Sequence, residues 1–117
     1  KHRKTKPQLL IKMGNSVDLV PWSDVQLITA TEDFSEVWTT TNSHLTDLSL
    51  DKLEQEAPDE EYFRVERATI CRMSLIDKVV TDGKGHYHVE YRLEAFPTLK
   101  ISRRRYGALK KALKAFS

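Results

Sequence analysis

Three consecutive arginines, Arg103, Arg104 and Arg105, are the densest run of chemistry-bearing side chains in this 117-residue sequence. They follow Ser102 and precede Tyr106, Leu109, Leu113 and Phe116, which recur at helical spacing with Lys110, Lys111 and Lys114 between them. Ser102 carries the hydroxyl that an N-cap uses, so a helix is predicted to start there with the arginines in its first turn. That is the wrong end for cations. A helix N-terminus is already partly positive, and stability alone favours Asp or Glu. An anion docked at the turn resolves the conflict, and nucleic-acid phosphate is the obvious one. A basic turn that is simply solvated is the alternative.

Other reactive types offer less. His86 and His88 stand two apart on a predicted strand and so share a face. Two histidines do not make a zinc site, and no third ligand falls at a useful spacing. Solvated strand histidines are therefore expected, with no metal and no cofactor. Cys71 is alone, which excludes an internal disulfide and fits a reducing, cytoplasmic setting; it reads as a small buried apolar side chain. The sequence contains no phosphate-binding glycine loop, no CxxC pair and no nucleophile elbow, so no enzyme is expected. No apolar run approaches the 18 residues or so of a membrane-spanning helix.

Net charge is only +2, but it is unevenly spread. Lys1, Arg3, Lys4, Lys6 and Lys12 open the chain without an acid, and seven Lys/Arg close it from Lys100 onward, again without an acid. Between Glu32 and Glu66, 11 acids face only Lys52 and Arg64. Basic ends around an acidic middle give the molecule sidedness, so that one surface attracts a polyanion and another repels it.

The elements that must position these groups are mostly strands. Residues 1–7 read as a basic linker and 8–117 as one domain. Gln8–Met13 and Ser16–Val20 form a predicted hairpin around Gly14-Asn15. Val25–Thr31 and Ser35–Thr40 are rich in β-branched and aromatic residues, and His44–Leu48 continues the sheet. Ser49 caps a short helix that Pro58 stops. Asp59-Glu60-Glu61 is an acidic loop. Tyr62–Arg67 is a strand, and Ala68–Met73 fits either a strand or a helical turn. Leu75–Asp82 and His86–Glu94 are strands around Gly83-Lys84-Gly85, and Leu99–Ile101 is the last. The count is about nine antiparallel strands and two helices, a mostly β fold with Trp38, Tyr62, Phe63, Ile70 and Ile76 as core candidates.

Four blocks in order carry a family resemblance: IKMGNSVDLVPWSDVQLITA, LSLDKLEQEAP, YFRVERATICRMSLIDKV and KISRRRYGALKKAL. The chain resembles the LytTR DNA-binding domain of bacterial response regulators, from about Leu9 to Leu113. The resemblance implies an elongated stack of small antiparallel sheets with two short helices, acting as the output domain of a transcription regulator. It implies loops that enter successive major grooves of double-stranded DNA and bend the duplex. It also implies an N-terminal receiver or sensor domain and a second copy on a repeated half-site. Three contact places map here: the Glu32–Glu36 loop with Ser35, the Glu66-Arg67 loop, and Arg103 with Arg104 and Arg105. Lys100 and Lys110 are expected at phosphates, and Lys111 and Lys114 more weakly so. The chain departs from the pattern at Glu66, where the family usually has His, at Ala68, often Ser, and in its acidic first loop. A carboxylate repels phosphate but can accept from cytosine N4. A protein-interaction module on the same fold, docking a basic partner on the acidic middle, is the rival expectation.

Overall fold

The computed structural model of this protein describes residues 8–116; the expected basic linker lies outside them. Ten strands and two α-helices occupy an elongated body of 48 × 34 × 23 Å. β1 (Gln8–Met13) and β2 (Ser16–Pro21) form the first hairpin, pairing Leu9 with Val20 and Leu10 with Leu19. A 3-10 turn at Trp22–Asp24 leads into the central sheet. Its strands are β3 (Val25–Ala30), β4 (Ser35–Thr39), β5 (Ser43–Thr46), β6 (Tyr62–Glu66) and β7 (Thr69–Arg72), in the order β5-β4-β3-β7-β6. A third sheet contains β8 (Ile76–Thr81), β9 (Tyr87–Tyr91) and β10 (Thr98–Ile101), with β9 in the middle. All pairings are antiparallel, as expected.

The central sheet is apolar on both faces, and each face has its own core. One face carries Val25, Ile28, Val37 and Ile70, packed under Leu9, Ile11, Val20 and Trp22 of the hairpin segment and Leu50, Leu53 and Ala57 of the first helix. The other face carries Leu27, Val65 and Cys71, packed against Val89, Tyr91, Leu99, Ile101 and Leu109. A register shift between Val25 and Leu27 explains how two residues of like parity reach opposite faces. Ile70 is a core residue as expected, whereas Trp38, Tyr62, Phe63 and Ile76 are partly buried at the core margins.

The first helix, α1 (Leu50–Glu56), starts where the sequence places it: the Ser49 hydroxyl accepts from the Lys52 N–H at 3.1 Å. The ambiguous Ala68–Met73 stretch resolves into β7, followed by a 3-10 turn at Met73–Leu75. The predicted His86–Glu94 strand is shorter, because the turn after β8 extends through His86 and the chain leaves the sheet after Tyr91. α2 (Tyr106–Phe116) docks through fully buried Leu109 and through Tyr106, whose ring stacks on Tyr87 at 4.0 Å between centroids. The helical spacing shared with Leu109 and Leu113 predicts that Phe116 packs too, but it is 42% exposed at the last helical position.

Candidate nucleic-acid interface

Ser102 is a cap of a different kind from the one expected. Its backbone is extended, but its hydroxyl makes no capping bond. Instead the Ser102 N–H donates to the Val65 carbonyl at 2.9 Å, and the Arg105 N–H returns to the Ser102 carbonyl at 2.9 Å. Arg103–Arg105 consequently form a single 3-10 turn ahead of α2, not its first α-helical turn. The bond to Val65 sets this turn beside the end of β6, where Glu66 and Arg67 leave the strand.

Arg64 shapes that neighbouring turn. Its Nε and Nη2 donate to the Arg67 carbonyl at 3.2 Å and 2.6 Å. Its Nη1 donates to the carboxylates of Asp51, in a very short contact, and Glu54, at 3.0 Å. Partial burial lowers the guanidinium pKa, but the two α1 carboxylates outweigh it and hold the group above its ordinary value. Arg64 was not among the residues singled out from the sequence. Its signal was a lone strand arginine opposite Asp51 and Glu54, three apart on one helix face.

The outcome is a cleft of about 480 Å³ that gathers Glu66, Arg67, Arg104 and Arg105 around Arg64. Arg67 and Arg104 are exposed, so their guanidiniums face solvent. Arg105 is half-buried and structural: its Nε donates to the Arg64 carbonyl at 3.1 Å and its guanidinium lies 4.6 Å from the Phe63 ring centroid. Glu66 accepts from the Thr69 hydroxyl at 3.3 Å, which keeps one carboxylate oxygen on the turn. Arg103 is exposed and points along the opposite side of its turn, over Gly85.

The other expected contacts are dispersed. Lys100 projects outward from β10. Lys110 has its ammonium 4.7 Å from the Tyr106 ring centroid, and it borders an open groove of about 800 Å³ with Lys111, Met73, Ile76 and Phe116. That groove shares no residue with the arginine cleft. Ser35 is only 2% exposed, and its hydroxyl donates to the Leu48 carbonyl at 2.8 Å, so its side chain has no access to a ligand. The loop before it is tightly closed, with Phe34 N–H donating to the Thr31 hydroxyl at 3.1 Å and Thr31 N–H to the Phe34 carbonyl at 2.7 Å. Its tip exposes Glu32, Asp33 and Phe34. Ala30 N–H donates to the Ala68 carbonyl at 2.8 Å, which puts this acidic loop next to the Arg67 turn.

The two histidines separate from each other. His86 lies in the β8–β9 turn, outside the strand, and its Nδ1 is 2.7 Å from the Asp82 carboxylate. That contact, helped by the Lys84 backbone N–H, holds the Asp82 carboxyl below its usual range. His88 stays on β9. No cluster of three metal-ligating side chains exists among the described residues. Cys71 is fully buried, and burial pushes its thiol up to about 12. No helix among the described residues is long and apolar enough to cross a membrane.

The domain gathers four arginines, from β6 and two turns, into one cleft, a local excess of positive charge of the kind that attracts a polyanion. The chain belongs to the LytTR DNA-binding domain family, whose model matches residues 15–114. The solved LytTr DNA-binding domain of a Bacillus cereus protein described as a methyl-accepting/DNA response regulator is similar in fold. Its TM-score is 0.77 at 18% identity, over 92% of this chain and 97% of that one. No curated protein matches the sequence.

Proposed function

We propose that this domain reads duplex DNA sequence-specifically, as the output module of a bacterial transcription regulator. Arg67, Arg103 and Arg104 carry the contact. Arginine bridges guanine O6 and N7 bidentately or clamps a phosphate with two parallel bonds. The observation that supports this reading is the Ser102–Val65 backbone bond, which joins two arginine-bearing turns distant in sequence. Among the described residues, neither turn uses its exposed guanidiniums, those of Arg67 and Arg104, to hold the fold. Arg105 holds the turn in shape, and Ser35 acts only through the backbone geometry of its loop. A receiver or sensor domain preceding this one, and a second copy on a repeated half-site, complete the proposed regulator.

The exposed acids at Glu32 and Asp33 support a second reading, a protein-docking surface with reduced DNA affinity. Fluorescence anisotropy with a mixed-sequence duplex at two salt concentrations separates them. Affinity that falls steeply with salt supports DNA binding, because each neutralised phosphate releases counterions. Absence of binding at low salt supports the second reading and overturns the first.

A further inference from the structure

The third sheet carries a cationic surface that the arginine cleft does not use. β9 and β10 bury Val89, Leu99 and Ile101 and half-bury Tyr87 against the second core. The intervening residues therefore face the other way. His88 lies directly opposite Lys100 on β10 and opposite Val80 on β8. Directly opposed side chains on one face are neighbours about 5 Å apart at Cβ.

At the end of these strands the Asp82–His86 turn presents exposed Lys84. Its shape depends on Gly83 and Gly85, at φ +78° and +90°. Arg103 lies across it: a Cβ added at Gly85 would stand 3.4 Å from the Arg103 Cζ. The turn is thus a seat for Arg103; exposed Lys84 lies in the same turn, and the His88–Lys100 pair lies one register step along the strands from the Tyr87–Ile101 pair. Between Lys100 and Arg103 the backbone of Ile101 and Ser102 is extended, which sets the two Cα atoms roughly 10 Å apart. Over that axial distance one DNA strand presents about three charges.

The neighbouring acids leave the strip open. Asp82 is engaged by His86 and by the Lys84 N–H. Glu90, the next outward residue on β9, sits between Lys78 and Thr98 and closes the strip at the far end. Neither Lys84 nor Lys100 has an ion-pair partner among the described residues.

We infer that Lys84, His88 and Lys100 form a phosphate-binding strip that follows one strand of a duplex away from the Arg103 contact. The inference rests on the DNA-binding reading and adds to it a surface, the outer face of the third sheet, with the backbone phosphates as its ligand. Phosphate contacts carry no sequence information, so the strip supplies affinity and register while the cleft supplies selection.

The test is the salt dependence of binding to a mixed-sequence duplex, for Lys84→Ala, Lys100→Ala and the pair. Each single change is expected to reduce the slope of log affinity against log salt by about 0.9, and the pair by about twice that. His88→Glu places an anion in the strip and is expected to weaken every sequence alike. Lys78→Ala, at the direct cross-strand partner of Glu90, is expected to leave the slope unchanged. Thermal melts of all five variants verify that the fold persists. Wild-type binding with slopes unmoved by Lys84→Ala and Lys100→Ala overturns the strip alone. A loss confined to one base pair overturns the phosphate assignment. Absence of wild-type binding at low salt overturns both the strip and the reading beneath it.

Discussion

The Arg64 guanidinium holds the Arg67 carbonyl with two hydrogen bonds, at 3.2 Å and 2.6 Å, while its third nitrogen engages Asp51 and Glu54 on α1. One cation thereby ties the Glu66-Arg67 turn to a helix. Arg64→Ala is expected to weaken DNA binding although Arg64 itself is mostly covered, its side chain 19% exposed. Loss of charged hydrogen bonds at a partly buried site costs about 1–3 kcal/mol of stability. Arg64→Lys is expected not to rescue, since an ammonium lacks the planar fork that serves the carbonyl and the carboxylates together. Urea denaturation and anisotropy on the two variants check this. Full rescue by Lys refutes the clamp.

Arg103→Ala and Arg105→Ala are expected to diverge. Arg103 is solvated, so its loss changes stability by no more than about 0.5 kcal/mol. Specific binding falls by on the order of 1–3 kcal/mol if it reads a base. Arg105 covers Phe63 and bonds the Arg64 carbonyl, so its removal lowers the melting temperature first. Equal melting temperatures for the two variants contradict this division of labour.

Leu109 is fully buried in the second core, whereas Phe116 is 42% exposed. Leu109→Ala is expected to cost roughly 2–5 kcal/mol. Phe116→Ala is expected to cost less than about 1 kcal/mol, as surface changes do. Denaturant midpoints at constant m-value decide the matter.

Glu66 adds negative charge to the arginine cleft, which Glu54 also lines, next to the loop of Glu32 and Asp33. Glu66→Gln is expected to strengthen binding on all sequences alike, because it removes repulsion from phosphate. Selected-site profiles of wild type and variant check it. A change at a single base pair shows instead that the carboxylate accepts from cytosine N4.

Cys71 is expected to resist thiol reagents in the native state at neutral pH. Burial disfavours its thiolate, and only the thiolate attacks. Its labelling rate then reports opening of the second core. Fast labelling of folded protein contradicts its burial.

The elements with local signals were legible. Leu9 and Ile11 alternate with outward residues in β1, and Ser49 caps α1 with its own hydroxyl. Thr69, Ile70 and Cys71 gave no period because all three are buried on a strand with a core on either face. His86 fell outside its predicted strand because two positive-φ glycines extend the turn. In the site, the arginine run was legible from charge alone. The fate of Ser35 was not, since it depends on the Leu48 carbonyl 13 residues away. Arg64 was hidden for the same reason: Asp51 and Glu54 read as solvated helix acids until folding places an arginine between them.

The central sheet is a party wall. Leu27 and Ile28 are successive residues of one strand, yet they support different cores. Neither half of the molecule owns that wall, so neither half is a viable fragment. A chain cut at the Gly83–Gly85 turn leaves the second core without β9, β10 and α2, and strips the wall of one covering. The two pieces are expected to fold only when mixed, as a complemented pair. Amide exchange in β3 and β7 is expected to follow global unfolding, because no partial opening frees both sides at once.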